Sequence, residues 1–216
     1  EQSRRTFPVI FMADFAQTQP LCLGVLASHS GTNFQGILNR CQSGELRAQV
    51  GVVISNNSQS GVLERARGAN LPVAHLSGVT HPNLDALDRA MEGVLVQHGV
   101  NLVVLAGFMK KLGPRVLGAF SNRIINIHPA LLPAFGGRGM YGLRVHQAVI
   151  ESRVQFSGAT VHYVNEEYDQ GPIILQEIVR VVPDDMPETL AARVLEVEHR
   201  LFPAAIRMFA EMQFTQ

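Results

Sequence analysis

The 216-residue chain has little of several things, and each shortage excludes a class of protein. It has only two cysteines, Cys22 in an apolar run and Cys41 in a helical pattern, with no CxxC pair. That excludes a disulfide-stapled scaffold and a thiolate zinc site, and reads as two small buried hydrophobes in a reducing compartment. Charge of one sign is not in excess, since 18 Lys and Arg balance 18 Asp and Glu. A chain without net charge is not built chiefly to hold nucleic acid or an anionic membrane, although one local anion site remains compatible. No apolar run approaches the roughly 18 residues of a membrane span. At the amino end Arg4-Arg5 precedes Phe7–Met12, but Asp14 interrupts the stretch and no cleavage site follows. No signal peptide is expected, and the expected compartment is the cytoplasm. Repeats, low-complexity tracts and linkers are also missing. One domain over residues 21–216 is expected, with residues 1–20 an irregular extension, Met12 the functional start and residues 1–11 dispensable.

What is present is a regular alternation. Hydrophobic residues make up 46% of the chain. Leu21–Ala27, Val50–Ser55, Leu71–Leu76, Leu102–Ala106 and Arg123–His128 read as strands, most of them continuous apolar runs of the kind buried on both faces. Thr32–Gln42, Gly61–Ala69, Asn83–His98 and Pro114–Phe120 read as the intervening helices. Such spacing predicts βαβ units with right-handed crossovers. Beyond them Arg144–Ser152 reads as helix, and Gly158–Val164 with Ile173–Val182 as an antiparallel pair at a sheet edge. Glu188–Met212 reads as a long closing helix, kinked or broken at Pro203. The fold class is therefore α/β, an open, mostly parallel twisted sheet with helices on both faces, Rossmann-like, and antiparallel near its carboxyl end.

Three constellations can carry chemistry. Ser28-His29-Ser30-Gly31-Thr32-Asn33 joins a strand to a helix, and free N–H groups at that helix start suit a phosphate. It is neither GxGxxG nor a Walker loop, so no nucleotide cofactor follows. Ordinary N-capping by Ser30 or Thr32 explains it equally well. In Asn126-Ile127-His128-Pro129 an amide and an imidazole stand two residues apart, hence on one face of an extended strand that Pro129 ends. A lone histidine there is commonly structural. Its pairing with an amide at the carboxyl end of a parallel strand, where open α/β sheets bind ligands, favours oxyanion or proton chemistry. Third, His162 leads into Asn165-Glu166-Glu167-Tyr168-Asp169-Gln170-Gly171-Pro172. Its acidic residues are either solvated or, for Asp169, aimed at His128, where the charge would raise the imidazole pKa. His128, His146 and His162 together raise a metal site, but no ligand spacing supports one and none is expected.

In their order and spacing these motifs resemble the folate-dependent formyltransferases, most closely the branch that formylates glycinamide ribonucleotide. The resemblance runs from about Leu21 to Pro203. It rests on Ser30-Gly31-Thr32-Asn33, Ala106-Gly107-Phe108-Met109, Asn126 through Pro133, His162 to Asp169-Gln170-Gly171-Pro172, and Ala191 through His199. The resemblance implies a formyl donor, 10-formyltetrahydrofolate, as co-substrate and a tetrahedral intermediate. Asn126 and protonated His128 would hold the oxyanion, Asp169 would keep His128 charged and assist proton transfer through water, and His162 would steady the Asp169 loop. The ribonucleotide phosphate would lie on Gly31, Thr32 and Asn33, and Glu198 would bond the ribose hydroxyls. The folate would occupy a crevice lined by Phe108, Met109, Lys110, Lys111, Leu112, Asn165, Glu166 and Tyr168. A monomer and a homodimer are equally compatible with it.

The chain departs from the family pattern at Ala134, where many members carry lysine, and at Tyr168, where leucine is usual. Many members also have an arginine near Lys110, and the loop Phe135–Gly142 is longer than in common versions. Rival readings share the core: a methionyl-tRNA formyltransferase, which adds an RNA-binding domain, a formyltetrahydrofolate deformylase, which adds a regulatory domain, and a non-catalytic folate- or phosphate-binding module.

Overall fold

The computed structural model describes residues 20–214. The expectations for residues 1–19 lie outside the described residues. Seven strands form one sheet, in the order β3-β2-β1-β4-β5-β6-β7. In chain order the elements are β1 (Leu21–Leu26), α1 (Thr32–Gln42), β2 (Ala48–Ser55), α2 (Gly61–Gly68), β3 (Val73–His75), α3 (Leu84–Gln97), β4 (Leu102–Leu105) and α4 (Pro114–Ala119). They continue with β5 (Ile124–His128), α5 (Leu143–Glu151), β6 (Phe156–Tyr163), β7 (Ile173–Arg180) and α6 (Pro187–Phe214). The first five strands run parallel, and β6 and β7 are antiparallel to their neighbours.

The central strands β1 and β4 are apolar throughout because they are covered on both faces. Leu21, Leu23 and Val25 of β1 pack with Phe34 and Ile37 of α1 and with Val194, Val197 and Phe202 of α6. On the other face Val103, Leu105 and Ile124 pack with Met91 and Leu95 of α3 and Val116 of α4. This alternation dictates where the polar residues of β5 go. Ile125 and Ile127 belong to the α1/α6 face, whereas Asn126 and His128 share the face of Ile124. The facing residues of β6 are His162 opposite Asn126 and Thr160 opposite His128, so all four side chains project to one side.

The chain reverses direction across the sheet at β1, whose neighbours are β2 and β4. The helices that follow β1 and β4, α1 and α4, pack on opposite faces of the sheet and leave a crevice at the carboxyl ends of the strands, where open α/β sheets hold ligands. Two long-range contacts build its walls. Ser28 Oγ donates to Asn56 Oδ1 at 2.6 Å and accepts the Met109 N–H at 2.8 Å, tying the loops after β1, β2 and β4 together. Asp88, buried on α3, accepts the N–H groups of Arg115 (2.7 Å) and Val116 (3.3 Å) and so caps α4 from a neighbouring helix. Loss of such a cap costs about 1–2 kcal/mol. Asp88→Ala is therefore expected to lower the unfolding free energy by that amount in urea titration, and an unchanged midpoint would contradict the assignment.

The break or kink expected at Pro203 is not a break: α6 is helical on both sides of it. Proline removes one backbone donor, but Leu201, Phe202, Ala205 and Ile206 around it are buried in the core. Burying a large apolar side chain is worth roughly 1.5–3 kcal/mol, so that packing outweighs the lost bond. Smaller differences lie at element ends, with β2 starting at Ala48, β6 at Phe156, and β3 confined to three residues.

Candidate active site

The cleft at the switch point encloses about 400 Å³, a volume suited to a small-molecule ligand. Its floor is Asn126, Ile127, His128 and Pro129 from β5 and its end. One wall is Gly107 through Leu112 after β4, and the opposite wall is Gly137, Gly139, Met140, Tyr141, Gly142 and Leu143. The 165–169 loop closes one end, and Asn33 of α1 with Glu198 of α6 closes the other. All eight residues expected at the folate crevice, Phe108, Met109, Lys110, Lys111, Leu112, Asn165, Glu166 and Tyr168, line this one cleft. Lys111 Nζ stands 5.8 Å from the centroid of the Tyr168 ring. Gly31 and Thr32 are not part of the lining and stand at the start of α1 beside Asn33.

That helix start settles the choice between capping and an open end. Gly31 is the N-cap with φ 74, no side chain caps the helix, and its first turn carries no acidic residue. Ser30 and Thr32 therefore do not cap it. The left-handed backbone at Gly31 leaves no room for a larger residue, since a Cβ there would press on Val62. Uncapped N–H groups at the positive end of a helix dipole are an arrangement that suits an anion. Arg65, which sequence reasoning missed, donates from Nε to the Ser30 carbonyl at 2.8 Å and from Nη1 to Gln35 at 3.2 Å. Only tertiary packing of α2 against this turn reveals it.

Asn126, His128, His162 and Asp169 meet on the cleft floor. Asp169 Oδ2 lies 3.6 Å from His128 Nδ1, and Oδ1 lies 3.5 Å from His162 Nε2. Asp169 Oδ2 also accepts the Gly137 N–H at 2.8 Å. The Asp169 loop is held close by Gly171, where a Cβ would collide with the Tyr163 carbonyl. His162 Nδ1 contacts the Tyr163 carbonyl at 2.8 Å and must donate to it, because a carbonyl oxygen only accepts. Its Nε2, 3.1 Å from Asn126 Nδ2, accepts from that amide when the ring is neutral and serves Asp169 when it carries a second proton.

The charges pull against burial. Burial raises the Asp169 pKa, but His162, His128 and the Gly137 N–H together outweigh it and hold the carboxyl below its ordinary value. For His128, 3% exposed, the balance goes the other way. Burial lowers its pKa by more than Asp169 and the Phe135 carbonyl raise it, and His162 lowers it further. Asp169 thus raises the His128 pKa, the direction expected of it, while burial in the ligand-free protein exceeds that pull. His146 of α5 also lines the cleft, is buried with Nδ1 unpartnered, and has its pKa lowered to about 4 by burial.

Glu198 is buried at the far end and accepts from Asn33 Nδ2 at 2.7 Å. Burial raises its pKa to about 7 despite that bond. A carboxyl whose folded pKa exceeds its unfolded value stabilises the fold while protonated, and that contribution is lost as pH rises from about 4.5 to about 7. Each unit is worth about 1.4 kcal/mol, so the window spans on the order of 3 kcal/mol. Glu198→Gln should flatten this decline in a thermal-stability series; an unchanged slope would show that another group sets it. Among the described residues no group of three or more His, Cys, Asp or Glu side chains is arranged to hold a metal ion. No helix among them is long and apolar enough to cross a membrane.

A cleft at the switch point with an uncapped helix start, an amide and a histidine–aspartate pair on its floor is the setting of a group-transfer enzyme. The family described as formyl transferase matches residues 23–206, and the chain belongs to that family. Its relatives carry a narrower name. Phosphoribosylglycinamide formyltransferase of Haemophilus influenzae is 40% identical over 189 residues, covering 88% of this chain and 87% of that protein. The chloroplastic phosphoribosylglycinamide formyltransferase of Arabidopsis thaliana is 43% identical over 190 residues, 88% of this chain. The chain spans 65% of the length of that plant protein. Among solved structures, glycinamide ribonucleotide transformylase 1 from Symbiobacterium toebii superimposes with a TM-score of 0.84 at 45% identity, covering 90% of both chains.

Proposed function

We propose that the chain transfers a formyl group from 10-formyltetrahydrofolate to the primary amine of glycinamide ribonucleotide, a step of purine biosynthesis, in the cytoplasm. The observation that carries this reading is the meeting of Asn126, His128 and Asp169 in one cleft, between an uncapped helix start and the wall formed by Phe108–Leu112. The amine attacks the formyl carbon, and the carbonyl electron pair moves onto oxygen. Donors are needed where that negative charge grows. Asn126 Nδ2–H and protonated His128 supply them, and the growing charge itself favours the proton on His128. The surplus proton on the attacking nitrogen leaves to Asp169 through water. Collapse of the intermediate breaks the bond to the folate nitrogen, which takes up a proton.

In this reading the phosphate sits on the N–H groups of Gly31, Thr32 and Asn33, Glu198 bonds the ribose, and Phe108–Leu112 with Asn165, Glu166 and Tyr168 hold the folate. His162 keeps Asn126 and Asp169 in place, and residues 21–216 make up the catalytic domain. The names of the relatives support the acceptor, and the family supports a folate donor. The test is a formyl-transfer assay offering glycinamide ribonucleotide, methionyl-tRNA or water alone as acceptor. Transfer to the ribonucleotide at a rate well above the other two is expected. Preferred release of formate would favour a deformylase, and folate binding without turnover would favour a binding module.

A further inference from the structure

The loop from Phe135 to Gly142 has no task in the reaction just described, yet it makes the shortest polar contact of the His128 ring. His128 Nε2 lies 2.8 Å from the Phe135 carbonyl oxygen. Because that oxygen can only accept, the proton of the neutral ring is on Nε2. Nδ1 is then the nitrogen left facing Asp169, 3.6 Å away. Phe135 occupies the left-handed region with φ 56, uncommon for a residue with a side chain and maintained only where the surroundings impose it. Its ring packs against the α1/α6 core. Two residues on, the Gly137 N–H holds Asp169. One short stretch of backbone thus grips both members of the histidine–aspartate pair.

We infer that Phe135 is a positioning residue: its carbonyl, aimed by a left-handed backbone, locks His128 in the Nε2–H form and makes Nδ1 the nitrogen that meets the developing oxyanion. The inference rests on the formyl-transfer reading for its reaction, while the tautomer it assigns is a property of the ligand-free protein. Its consequence is a specific pH behaviour. With Nε2 committed to the carbonyl, Nδ1 donates a hydrogen bond only when the ring is charged, and the neutral ring presents a lone pair to the oxyanion. The titratable groups facing this ring are Asp169 from the β6–β7 loop, His162 from β6 and His146 from α5. None of them can supply the missing Nδ1 proton by moving the ring to its other tautomer, because the carbonyl holds it.

The test has two arms. Long-range proton–nitrogen NMR of the uniformly 15N-labelled full chain, with His128 identified from the spectrum of His128→Gln, reads the tautomer directly. Nε2–H in the neutral ring is expected, and Nδ1–H would overturn the inference. In the second arm Phe135→Gly keeps the left-handed backbone without the ring, and Phe135→Val, β-branched, disfavours it. Phe135→Val should lose about 10-fold to 100-fold in kcat, populate both tautomers, and show a flatter alkaline limb in its pH–rate profile. Phe135→Gly should lose less kcat than Phe135→Val and retain the Nε2–H form. Equal losses in the two variants would assign the effect to ring packing and overturn the inference, as would a Phe135→Val enzyme with wild-type rate and tautomer. If Phe135→Val does not fold, the NMR result on the wild-type protein decides. Absence of formyl transfer by wild type would instead overturn the functional reading, and would leave the tautomer result standing.

Discussion

His128→Ala is expected to lower kcat for formyl transfer by about 10²–10³-fold, the usual loss when one oxyanion donor is removed. KM for both substrates should change little, because the contact is made to charge that exists only beyond the ground state. Asp169→Ala should cost a comparable factor by a different route. Its carboxylate is 3.6 Å from His128 Nδ1 and is the largest of the influences that raise the His128 pKa. Without it burial acts on His128 unopposed by that charge, and the protonated ring becomes scarcer still. The two losses should add only in part, since Asp169 acts partly through the proton on His128: a double variant that loses less than the product of the single losses is expected from steady-state kinetics. Wild-type rates in both single variants would remove these residues from the chemistry.

The second large effect is expected at the other end of the cleft. Thr32 opens α1, whose amino end carries no side-chain cap and no acidic residue in its first turn. A carboxylate placed there by Thr32→Asp complements the helix dipole, which by itself is worth about 0.3–1 kcal/mol of stability. The same carboxylate opposes the substrate phosphate. At about 5 Å and an effective dielectric near 20, repulsion between the two is on the order of 3 kcal/mol, equivalent to roughly a hundredfold in affinity. KM for the ribonucleotide should rise by about that factor, with KM for the folate unchanged and thermal stability equal or higher. Equal losses for both substrates would move the phosphate elsewhere. The opposite signs for stability and binding keep the result from being read as simple damage to the fold.

The parts of this molecule legible in the sequence are those governed by local periodicity. Continuous apolar runs such as Leu21–Leu26 signal strands buried on both faces, and the two-residue spacing of Asn126 and His128 puts them on one side of β5. Gly31 before Thr32 marks a helix start, and the Gly-Pro after Asp169 marks a turn. What depended on through-space contact was not legible. Asp88 caps a helix that begins 26 residues later, and Arg65 reaches a carbonyl 35 residues away. The net direction of the His128 pKa depends on how completely the cleft walls bury it, which spacing does not reveal. The break allowed for at Pro203 does not occur, because proline chemistry is local, whereas the packing that keeps α6 helical on both sides of it is not. The loop Phe135–Gly142 was unreadable for a related reason. Its contribution is a backbone carbonyl and an N–H, at Phe135 and Gly137, and backbone groups leave no mark on residue identity.

The central claim is that Asn126, His128 and Asp169 surround the carbon being transferred, with the phosphate at the start of α1. A crystal structure of the protein with the ribonucleotide and a non-reactive folate analogue tests it most directly. The account predicts the formyl oxygen, or its mimic, within hydrogen-bonding distance of Asn126 Nδ2 and His128 Nδ1, the substrate amine on the Asp169 side, and the phosphate on the N–H groups of Gly31 through Asn33. A reacting carbon out of reach of all three side chains, or a phosphate bound away from α1, would contradict it.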